Sequence, residues 1–199
     1  MKLLLVSDEE DPYLWDYYKP GNLDGIDLIL SAGDLKAEYL SFLVTFSNKP
    51  LLFVHGNHDG NYDRHPPEGC VCADDMLILV NGLRILGLGG SQHYDGGPYQ
   101  YTEQQMRRRI QRLYFQIRRA GGVDIVLTHA PVRGYGDEDN VTHRGFEAFL
   151  PMLERWKPRY LIHGHVHRRY RPLQTPVFQY GSTTIINACG KNYLELYTQ

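Results

Sequence analysis

Residues 51–59, which read LLFVHGNHD, join an apolar run to a cluster of polar side chains. A short apolar run of this kind is typical of a buried β-strand, and Gly56 allows the chain to turn sharply where that strand ends. Asn57, His58 and Asp59 follow at once, so an amide, an imidazole and a carboxylate are delivered to one point. In open α/β sheets, ligands bind at the carboxyl ends of the strands. The stretch therefore indicates an α/β fold with a functional site at this edge.

The same arrangement recurs at four other places, where an apolar run is followed by carboxylate or imidazole groups. These places are Ser7-Asp8-Glu9-Glu10, Ala32-Gly33-Asp34-Leu35, His129-Ala130-Pro131 and Gly164-His165-Val166-His167. Because side chains two residues apart along a strand point the same way, Asp8 and Glu10 are expected to converge. His165 and His167 are expected to converge for the same reason.

Short apolar runs alternate with helical patterns along the chain, which favours an α/β sandwich. Strands are predicted at residues 3–6, 28–31, 51–54, 77–80, 84–88, 125–128, 160–162, 177–179, 183–187 and 193–197. Helices are predicted at residues 37–46, 102–120 and 146–156. Asn81-Gly82 lies between two apolar runs and predicts a hairpin closed by a type I′ turn.

The helix at 102–120 has the clearest pattern. Thr102 can cap its first turn, and one apolar stripe is formed by Met106, Ile110, Leu113, Tyr114 and Ile117. Six arginines lie mostly off that stripe: Arg107, Arg108, Arg109, Arg112, Arg118 and Arg119. They indicate a solvated helix face, with an RNA-facing patch as the alternative.

Composition is that of an ordinary folded protein. The 199 residues are 42% hydrophobic and 22% charged, and we expect one domain over residues 1–199. The net charge of −2 lacks the basic surplus of proteins that bind long nucleic acid. The first apolar run is too short for a signal-peptide core, and no later stretch is long enough to insert into a membrane. Cys70, Cys72 and Cys189 form neither a CxxC pair nor an even disulfide framework, so reduced thiols and a cytoplasmic location are predicted.

The residues after the strands suit a metal ion. Carboxylate, amide and imidazole side chains together are ligands for Mn, Fe or Zn, whereas a structural zinc site would favour cysteines. Each residue taken alone has a simpler explanation, such as Asn57 as a turn former. It is the set of five strand ends that predicts a catalytic metal site.

The ordered series Gly33-Asp34, Gly56-Asn57-His58-Asp59, Thr128-His129-Ala130-Pro131 and Gly164-His165-Val166-His167 resembles the calcineurin-like metallophosphoesterase family. Each motif alone is weak, but four in order are specific, and the resemblance covers residues 8–167. It implies a four-layer α/β/β/α sandwich of two mixed β-sheets flanked by helices. It also implies a binuclear centre, with a phosphate ester hydrolysed by a hydroxide that bridges two divalent ions.

The resemblance also implies a role for each matching residue. Asp34 would bridge the two ions. Metal one would be held by Asp8 and His167. The other ligands of metal two would be Asn57, His129 and His165. His58 would be the general acid for the leaving alkoxide or an electrostatic stabiliser, and Asp59 would hydrogen-bond and orient His58.

Residue 10 departs from the family pattern, because the first motif of that family reads Asp-x-His and here reads Asp8-Glu9-Glu10. Either Glu10 ligates metal one, or it reaches past the metal to a water and leaves that site weaker and partly open. In both cases the added negative charge favours Mn²⁺, with Fe, Zn, Ni or Co as other candidates. A decaying site on a binding scaffold is a third interpretation. The presence of the other ligands favours an enzyme.

The substrate side is less well defined. His93, next to Tyr94, could contact a phosphate or be a surface residue. His143 or Arg144 could supply a phosphate contact, although capping by Thr142 also explains that segment. Four aromatic residues near the first motif could stack on a nucleobase or pack on the core as a lid or interface: Tyr13, Trp15, Tyr17 and Tyr18.

The predicted function is that of a metal-dependent phosphodiesterase acting on a small phosphate ester, with a nucleotide-like compound as one candidate. The alternatives are a phosphomonoesterase or protein phosphatase of the same fold, and a weakly catalytic scaffold that binds a protein. The sequence does not indicate an oligomeric state.

Overall fold

A computed structural model describes residues 1–167 and 177–196 of the chain. Its helices are a 3₁₀ helix at Pro12–Leu14, α1 at Ala37–Ser47, α2 at Glu103–Arg119 and α3 at Phe149–Trp156. Its strands are β1 (Lys2–Ser7), β2 (Leu28–Ser31), β3 (Leu51–Phe53), β4 (Val71–Cys72), β5 (Met76–Val80), β6 (Leu83–Leu88), β7 (Ser91–Gln92), β8 (Gln100–Tyr101), β9 (Ile125–Thr128), β10 (Tyr160–His163), β11 (Val177–Tyr180), β12 (Thr183–Asn187) and β13 (Gly190–Glu195).

The strands form two large mixed sheets and one small pair. The first sheet has the order β13-β1-β2-β3-β4, in which β13 is antiparallel to β1 and the other neighbours are parallel. The second has the order β11-β12-β10-β9-β6-β5, with a parallel centre and two antiparallel edge strands. Strands β7 and β8 pair separately. Because neighbouring parallel strands end at one edge, the loops after β1, β2 and β3 lie together, as do those after β9 and β10.

The core has three layers of apolar side chains. Alternate residues of β1 point to opposite faces, so Leu3 and Leu5 join a cluster between the two sheets, whereas Leu4 and Val6 face α1. A third cluster joins the outer face of the second sheet to α2 and α3. The order of layers is therefore helix, sheet, sheet, helices, which confirms the predicted four-layer sandwich.

Local signals in the sequence also formed as predicted. Thr102 and Gln105 make a reciprocal capping box at the start of α2. Asn81 and Gly82 have φ angles of 50° and 79° and join β5 to β6 as a two-residue turn. Each of these features depends on a few adjacent residues, which is why it could be predicted from the sequence.

Several predicted bounds were wrong. Helix α3 begins at Phe149 rather than at residue 146, because Phe146 forms a β-bridge to Val132 and its amide donates to the Pro131 carbonyl. Residue 54 lies beyond β3, and the two-residue strands β4, β7 and β8 were not predicted. The predicted strand at 193–197 corresponds to β13, while residue 197 lies outside the described residues.

Arg109 also differs from the expected solvated arginines of α2. Its side chain is buried, its Nε donates to Asp75 at 2.8 Å, and Nη1 donates to the Gly89 carbonyl at 2.7 Å. The guanidinium also lies 4.2 Å from the centre of the Tyr101 ring. It therefore ties the helix to the second sheet. None of the helices described has the length and apolar character needed to cross a membrane.

Candidate metal centre

Three side chains from three other loops converge on the Nε2 atom of His129. This atom lies 3.0 Å from Asn57 Oδ1, 3.1 Å from His165 Nδ1 and 3.3 Å from Asp34 Oδ2. The four residues follow β2, β3, β9 and β10, so both sheets contribute. The His129 side chain is fully buried, and Asn57 and His165 are nearly so.

Hydrogen bonds behind the rings fix which atoms face the centre. His129 Nδ1 lies 2.7 Å from the Ala32 carbonyl, and His165 Nε2 lies 2.5 Å from the Thr142 carbonyl. Because a carbonyl can only accept, these ring nitrogens carry the protons, and the opposite nitrogens present lone pairs when the rings are neutral. The Asn57 amide group donates to the Tyr94 hydroxyl at 3.0 Å, which turns its oxygen inward.

A divalent cation fits this arrangement. Four lone pairs that face one point repel each other unless positive charge lies among them, and carbonyl partners behind ligating histidines are the usual support of a metal site. Nitrogen and oxygen ligands of a tetrahedral ion are about 3.3 Å apart, and the separations from His129 Nε2 are 3.0–3.3 Å. The donor set and its spacing thus suit a borderline or hard divalent metal.

The electrostatics lead to the same conclusion. Burial acts to lower the pKa of His129, but the charge and hydrogen bond of Asp34, together with the charge of Asp8 and the Ala32 carbonyl, outweigh it and raise that pKa to about 9. Burial acts to raise the pKa of Asp34, yet His129 and the amide of His58 hold it at about 2. Burial lowers the pKa of His165 to about 3 and keeps that ring neutral. A proton on His129 therefore supplies the positive charge that a cation would otherwise supply.

Three residues of the site have an unusual backbone. Asp8, Asp34 and His165 have φ angles of 62°, 57° and 69°, a region that residues with a side chain rarely occupy. Each follows a strand or its glycine at the edge where the loops meet. Backbone strain of this kind clusters at functional sites.

Glycines allow the loops to approach each other. A Cβ on Gly56 would collide with the carboxylate of Asp34, and one on Gly164 would lie 2.7 Å from Asp8 Oδ2 and closer still to the Ser7 hydroxyl. These two positions therefore require glycine if the carboxylates are to stay where they are.

Asp8 and His167, which were predicted to hold metal one, have other neighbours than the residues around His129 Nε2. Both carboxylate oxygens of Asp8 accept from the His165 amide at 3.0 Å, and Ser7 Oγ donates to Oδ2 at 2.5 Å. Burial raises the pKa of Asp8. His167 Nδ1 lies 3.4 Å from Glu9 Oε1, and ligand atoms of His167, Glu9 and Cys189 all lie within 4.8 Å of one another.

The contacts of the described residues pair Asp8 and Glu10 with different partners. Glu10 Oε1 instead accepts from the Lys36 amide at 3.3 Å and lies 3.8 Å from its ammonium group. The cause is the left-handed backbone at Asp8, which breaks the alternation of an extended strand. Glu9 takes the position beside His167. The same turn at His165 sends His165 and His167 to different neighbours.

His58 and Asp59 lie beside the centre. The His58 side chain is exposed, and its amide donates to Asp34 Oδ1 at 2.8 Å. The buried Asp59 accepts from the amides of Gly56 and Asp34 at 2.7 and 2.9 Å. Burial, followed by the charge of Asp34, raises its pKa to about 6. Asp59 thus joins two loop backbones. The hydrogen bonds of the described residues include none between Asp59 and the His58 ring.

The predicted substrate residues differ in position. The His143 ring lies 5.3 Å from that of His165, so the loop at 137–145 reaches the centre. Arg144 is exposed and donates to the Asp139 carbonyl, while His93 is exposed and its amide donates to Tyr101. Tyr94, next to His93, has the contact with Asn57 described above.

The aromatic residues near the first motif divide into two groups. Trp15 packs on Tyr39 with ring centres 5.4 Å apart, and Tyr18 packs edge-on against Phe42. Tyr13 and Tyr17 remain exposed. Trp15 and Tyr18 therefore form part of the packing on α1.

Sequence reasoning missed the backbone carbonyls of Ala32 and Thr142, and it missed Glu9 and Cys189. The carbonyls carry no signal in the sequence, since any residue type supplies one. Glu9 was adjacent to the predicted ligand, but the assumption of an extended strand assigned it to the opposite face.

The fold and the site define a metal-binding α/β/β/α sandwich, and comparison with known proteins identifies its family. Residues 7–169 match the family of calcineurin-like phosphoesterases. The chain belongs to this family, which supports metal-dependent hydrolysis of phosphate esters as its activity.

Two curated relatives are similar to this chain. UPF0046 protein K07C11.7 of Caenorhabditis elegans is 28% identical over 96% of this chain and 70% of its own length. Metallophosphoesterase domain-containing protein 1 of Homo sapiens is 29% identical over 62% of this chain, and the match spans 36% of that protein.

Solved structures show the same fold. A crystal structure of TT1561 of Thermus thermophilus has a TM-score of 0.65 at 15% identity, covering 95% of this chain and 89% of that one. A second crystal structure has a TM-score of 0.70 at 13% identity, covering 97% and 94%.

Proposed function

We propose that this chain is a binuclear phosphodiesterase whose metal two is held by Asp34, Asn57, His129 and His165. The observation that carries the proposal is the convergence of three ligand atoms on the buried Nε2 atom of His129, at 3.0–3.3 Å. Bound divalent ions would lower the pKa of a water and neutralise the phosphate oxygens. We further propose that residues 1–199 form one domain, and a cytoplasmic location stays a prediction.

For metal one, we propose Glu9 as a ligand beside His167, with Asp8 and the bridging Asp34. Glu9 Oε1 lies 3.4 Å from His167 Nδ1, whereas Glu10 contacts Lys36. A carboxylate ligand from Glu9, in place of the histidine that the family pattern has at residue 10, would leave the centre more negative, which favours Mn²⁺ over Zn²⁺. Glu9→Gln should therefore weaken Mn²⁺ binding in calorimetry, with Glu10→Gln as the matched control. A weaker affinity only in Glu10→Gln would instead support the family position.

His58 is the proposed proton donor to the leaving group. Its ring is exposed at the edge of the centre, and its amide is anchored on the Asp34 carboxylate at 2.8 Å. This anchor holds the backbone of His58 beside the proposed bridging ligand. An imidazole with a pKa near neutrality can protonate an alkoxide as it leaves.

A cleft next to His58 supports a diester as substrate. It has a volume of about 270 Å³ and is lined by Glu10, Asp34, Lys36, His58 and Asn61, among others. A monoester needs space for one organic group only, whereas this cleft can hold a second substituent beside the phosphate. The ammonium group of Lys36 would face the negative charge of the ester.

The test is hydrolysis of bis-p-nitrophenyl phosphate and p-nitrophenyl phosphate with added Mn²⁺. His58→Ala should lower kcat for the diester by about 10²–10⁴-fold while metal content is unchanged. Asp34→Ala should lose both metal and activity. The exposed His65, which lies outside the site, provides a matched control as His65→Ala.

The outcomes separate the alternatives. Preference for the monoester would leave a phosphomonoesterase or protein phosphatase. Failure to hydrolyse either ester with any divalent metal, in a protein that binds two ions, would favour the scaffold that binds a protein.

A further inference from the structure

A second cluster of metal-ligating side chains lies outside the site described above. Its members are His55, Cys72 and Asp74, whose ligand atoms all lie within 4.8 Å of one another. His55 Nδ1 is 2.7 Å from Asp74 Oδ2 and 3.7 Å from Cys72 Sγ. The roles proposed above use none of these three residues.

The fold brings the three residues together at the edge of the first sheet. Cys72 ends β4 and pairs with Phe53 of the parallel strand β3. His55 follows β3 by two residues, and Asp74 bridges to Gly87 of the second sheet. The cluster therefore lies where β3, β4 and β6 meet, and the backbone of Cys72 and Asp74 is held by strand pairing and a β-bridge.

Contacts around the cluster hold its ligand atoms in place. The Gly89 amide donates to Asp74 Oδ1 at 2.7 Å, which leaves Oδ2 facing His55. The His55 ring is stacked on Tyr99, with ring centres 4.2 Å apart and an angle of 17° between the planes. Hydrogen bonds and packing behind metal ligands have this orienting effect.

The distances are close to those of a zinc site. In tetrahedral geometry, a nitrogen and a sulfur ligand are about 3.5 Å apart and a nitrogen and an oxygen about 3.3 Å. The His55–Cys72 separation of 3.7 Å is near the first value. The His55–Asp74 separation of 2.7 Å is that of a hydrogen bond, so the two groups would have to separate by about 0.6 Å.

We propose that His55, Cys72 and Asp74 form a separate site for a borderline divalent cation of the Zn²⁺ type. One thiolate, one imidazole and one carboxylate suit Zn²⁺ or Co²⁺ better than Mg²⁺ or Ca²⁺, which prefer oxygen alone. The His55 and Asp74 side chains are 14% and 17% exposed, so solvent can enter and supply a fourth ligand. This site does not depend on the proposed phosphodiesterase activity.

The experiment uses Co²⁺ as a spectroscopic probe on the full chain with its thiols reduced. A bond between thiolate and Co²⁺ gives a charge-transfer band in the near ultraviolet, which the other ligand types do not give. The chain has three cysteines, so three variants assign the band: Cys70→Ser, Cys72→Ser and Cys189→Ser. The band should disappear in Cys72→Ser and stay in the other two, and Cys72→Ser should bind one Zn²⁺ fewer than the wild type.

Asp74→Asn provides a second measurement that keeps all cysteines and does not require Cys72→Ser to fold. Loss of a group that only supports a ligand costs about 10–100-fold in affinity, so loss of this ligand should weaken Co²⁺ binding at the thiolate band by at least about 10-fold. Three results would overturn the proposal: no thiolate band in the wild type, a band lost in Cys189→Ser and kept in Cys72→Ser, or Co²⁺ affinity at the band unchanged in Asp74→Asn.

Discussion

The close approach of two loop backbones at Gly33 leads to a sharp prediction about the candidate metal centre. Gly33 has a φ angle of +94°, and a Cβ at this position would lie 2.8 Å from Gly56 Cα and closer to Gly56 N. It would also lie 3.0 Å from His129 Nδ1, the atom that contacts the Ala32 carbonyl. Backbone atoms cannot move aside by changing rotamer, so Gly33→Ala should push the two loops apart.

The cost can be separated into two parts by a matched control. Gly82 has a φ angle of +79° and no atom within 4 Å of an added Cβ, so Gly82→Ala carries the backbone cost alone, about 1–2 kcal/mol. Gly33→Ala carries a similar backbone cost together with overpacking, which is about 1–3 kcal/mol. The gain from a less flexible unfolded chain is common to both variants and cancels. Gly33→Ala should therefore be less stable than Gly82→Ala by about 1–3 kcal/mol.

Thermal unfolding of the metal-free protein tests the difference. For a chain of about 200 residues, 1 kcal/mol shifts Tm by about 2–4 °C, so Gly33→Ala should unfold about 2–12 °C below Gly82→Ala. Calorimetry should also show metal affinity reduced by about 10–100-fold in Gly33→Ala alone, because the support of His129 is displaced. Equal Tm values with unchanged metal affinity would show that the loops do not pack as described.

Two further predictions concern charged groups away from the centre. Arg109→Met should lower the free energy of unfolding by about 2–3 kcal/mol, because the buried Gly89 carbonyl loses its donor. The control Arg108→Met, at an exposed position, should change the free energy of unfolding by less than about 0.5 kcal/mol. Equal effects of the two substitutions in denaturant titrations would contradict this prediction. The hydrogen bonds from Arg84 lower the pKa of Asp124 in the folded protein. The ionised pair therefore stabilises the fold above the pKa of about 4 that an aspartate has in the unfolded chain. That stabilisation is lost as pH falls through the pKa of Asp124 in the folded protein. Since both side chains are partly exposed, Asp124→Asn should cost about 1 kcal/mol at about pH 7 and clearly less at about pH 3; a constant difference across pH would contradict the linkage.

The order of layers and most elements could be predicted from the sequence because each depends on local pattern. The uninterrupted apolar run from Leu3 to Val6 is typical of a strand buried on both faces, as β1 is, and Thr102 marked the start of α2. Arg109 could not be predicted in the same way. Its position on the helix is near the edge of the apolar stripe, and only the tertiary partners Asp75 and Gly89 make burial of a guanidinium favourable.

The residues of the candidate metal centre could be predicted in part, again because some of them lie in local motifs. Asp34, Asn57, His129 and His165 were predicted from motifs, and the structure brings them together. Glu9, the neighbour of His167, was not predicted, because the rule that alternate side chains share a face holds only while the backbone is extended. Asp8, at φ 62°, ends that regularity one residue before Glu9.

The strained backbone at these loops also explains what holds the site together. Left-handed residues such as Asp8, Asp34 and His165 cost on the order of 1 kcal/mol each, so their own contacts must be supported from outside. The support comes from the strands that precede them: β1, β2 and β10 are buried along most of their length and packed between layers. Hydrogen bonds then join the loops across the two sheets, as from the Gly164 amide to the His129 carbonyl. The position of the lone pairs around His129 is therefore set by the core between the sheets, and a metal ion would bind to a site that the fold has already shaped.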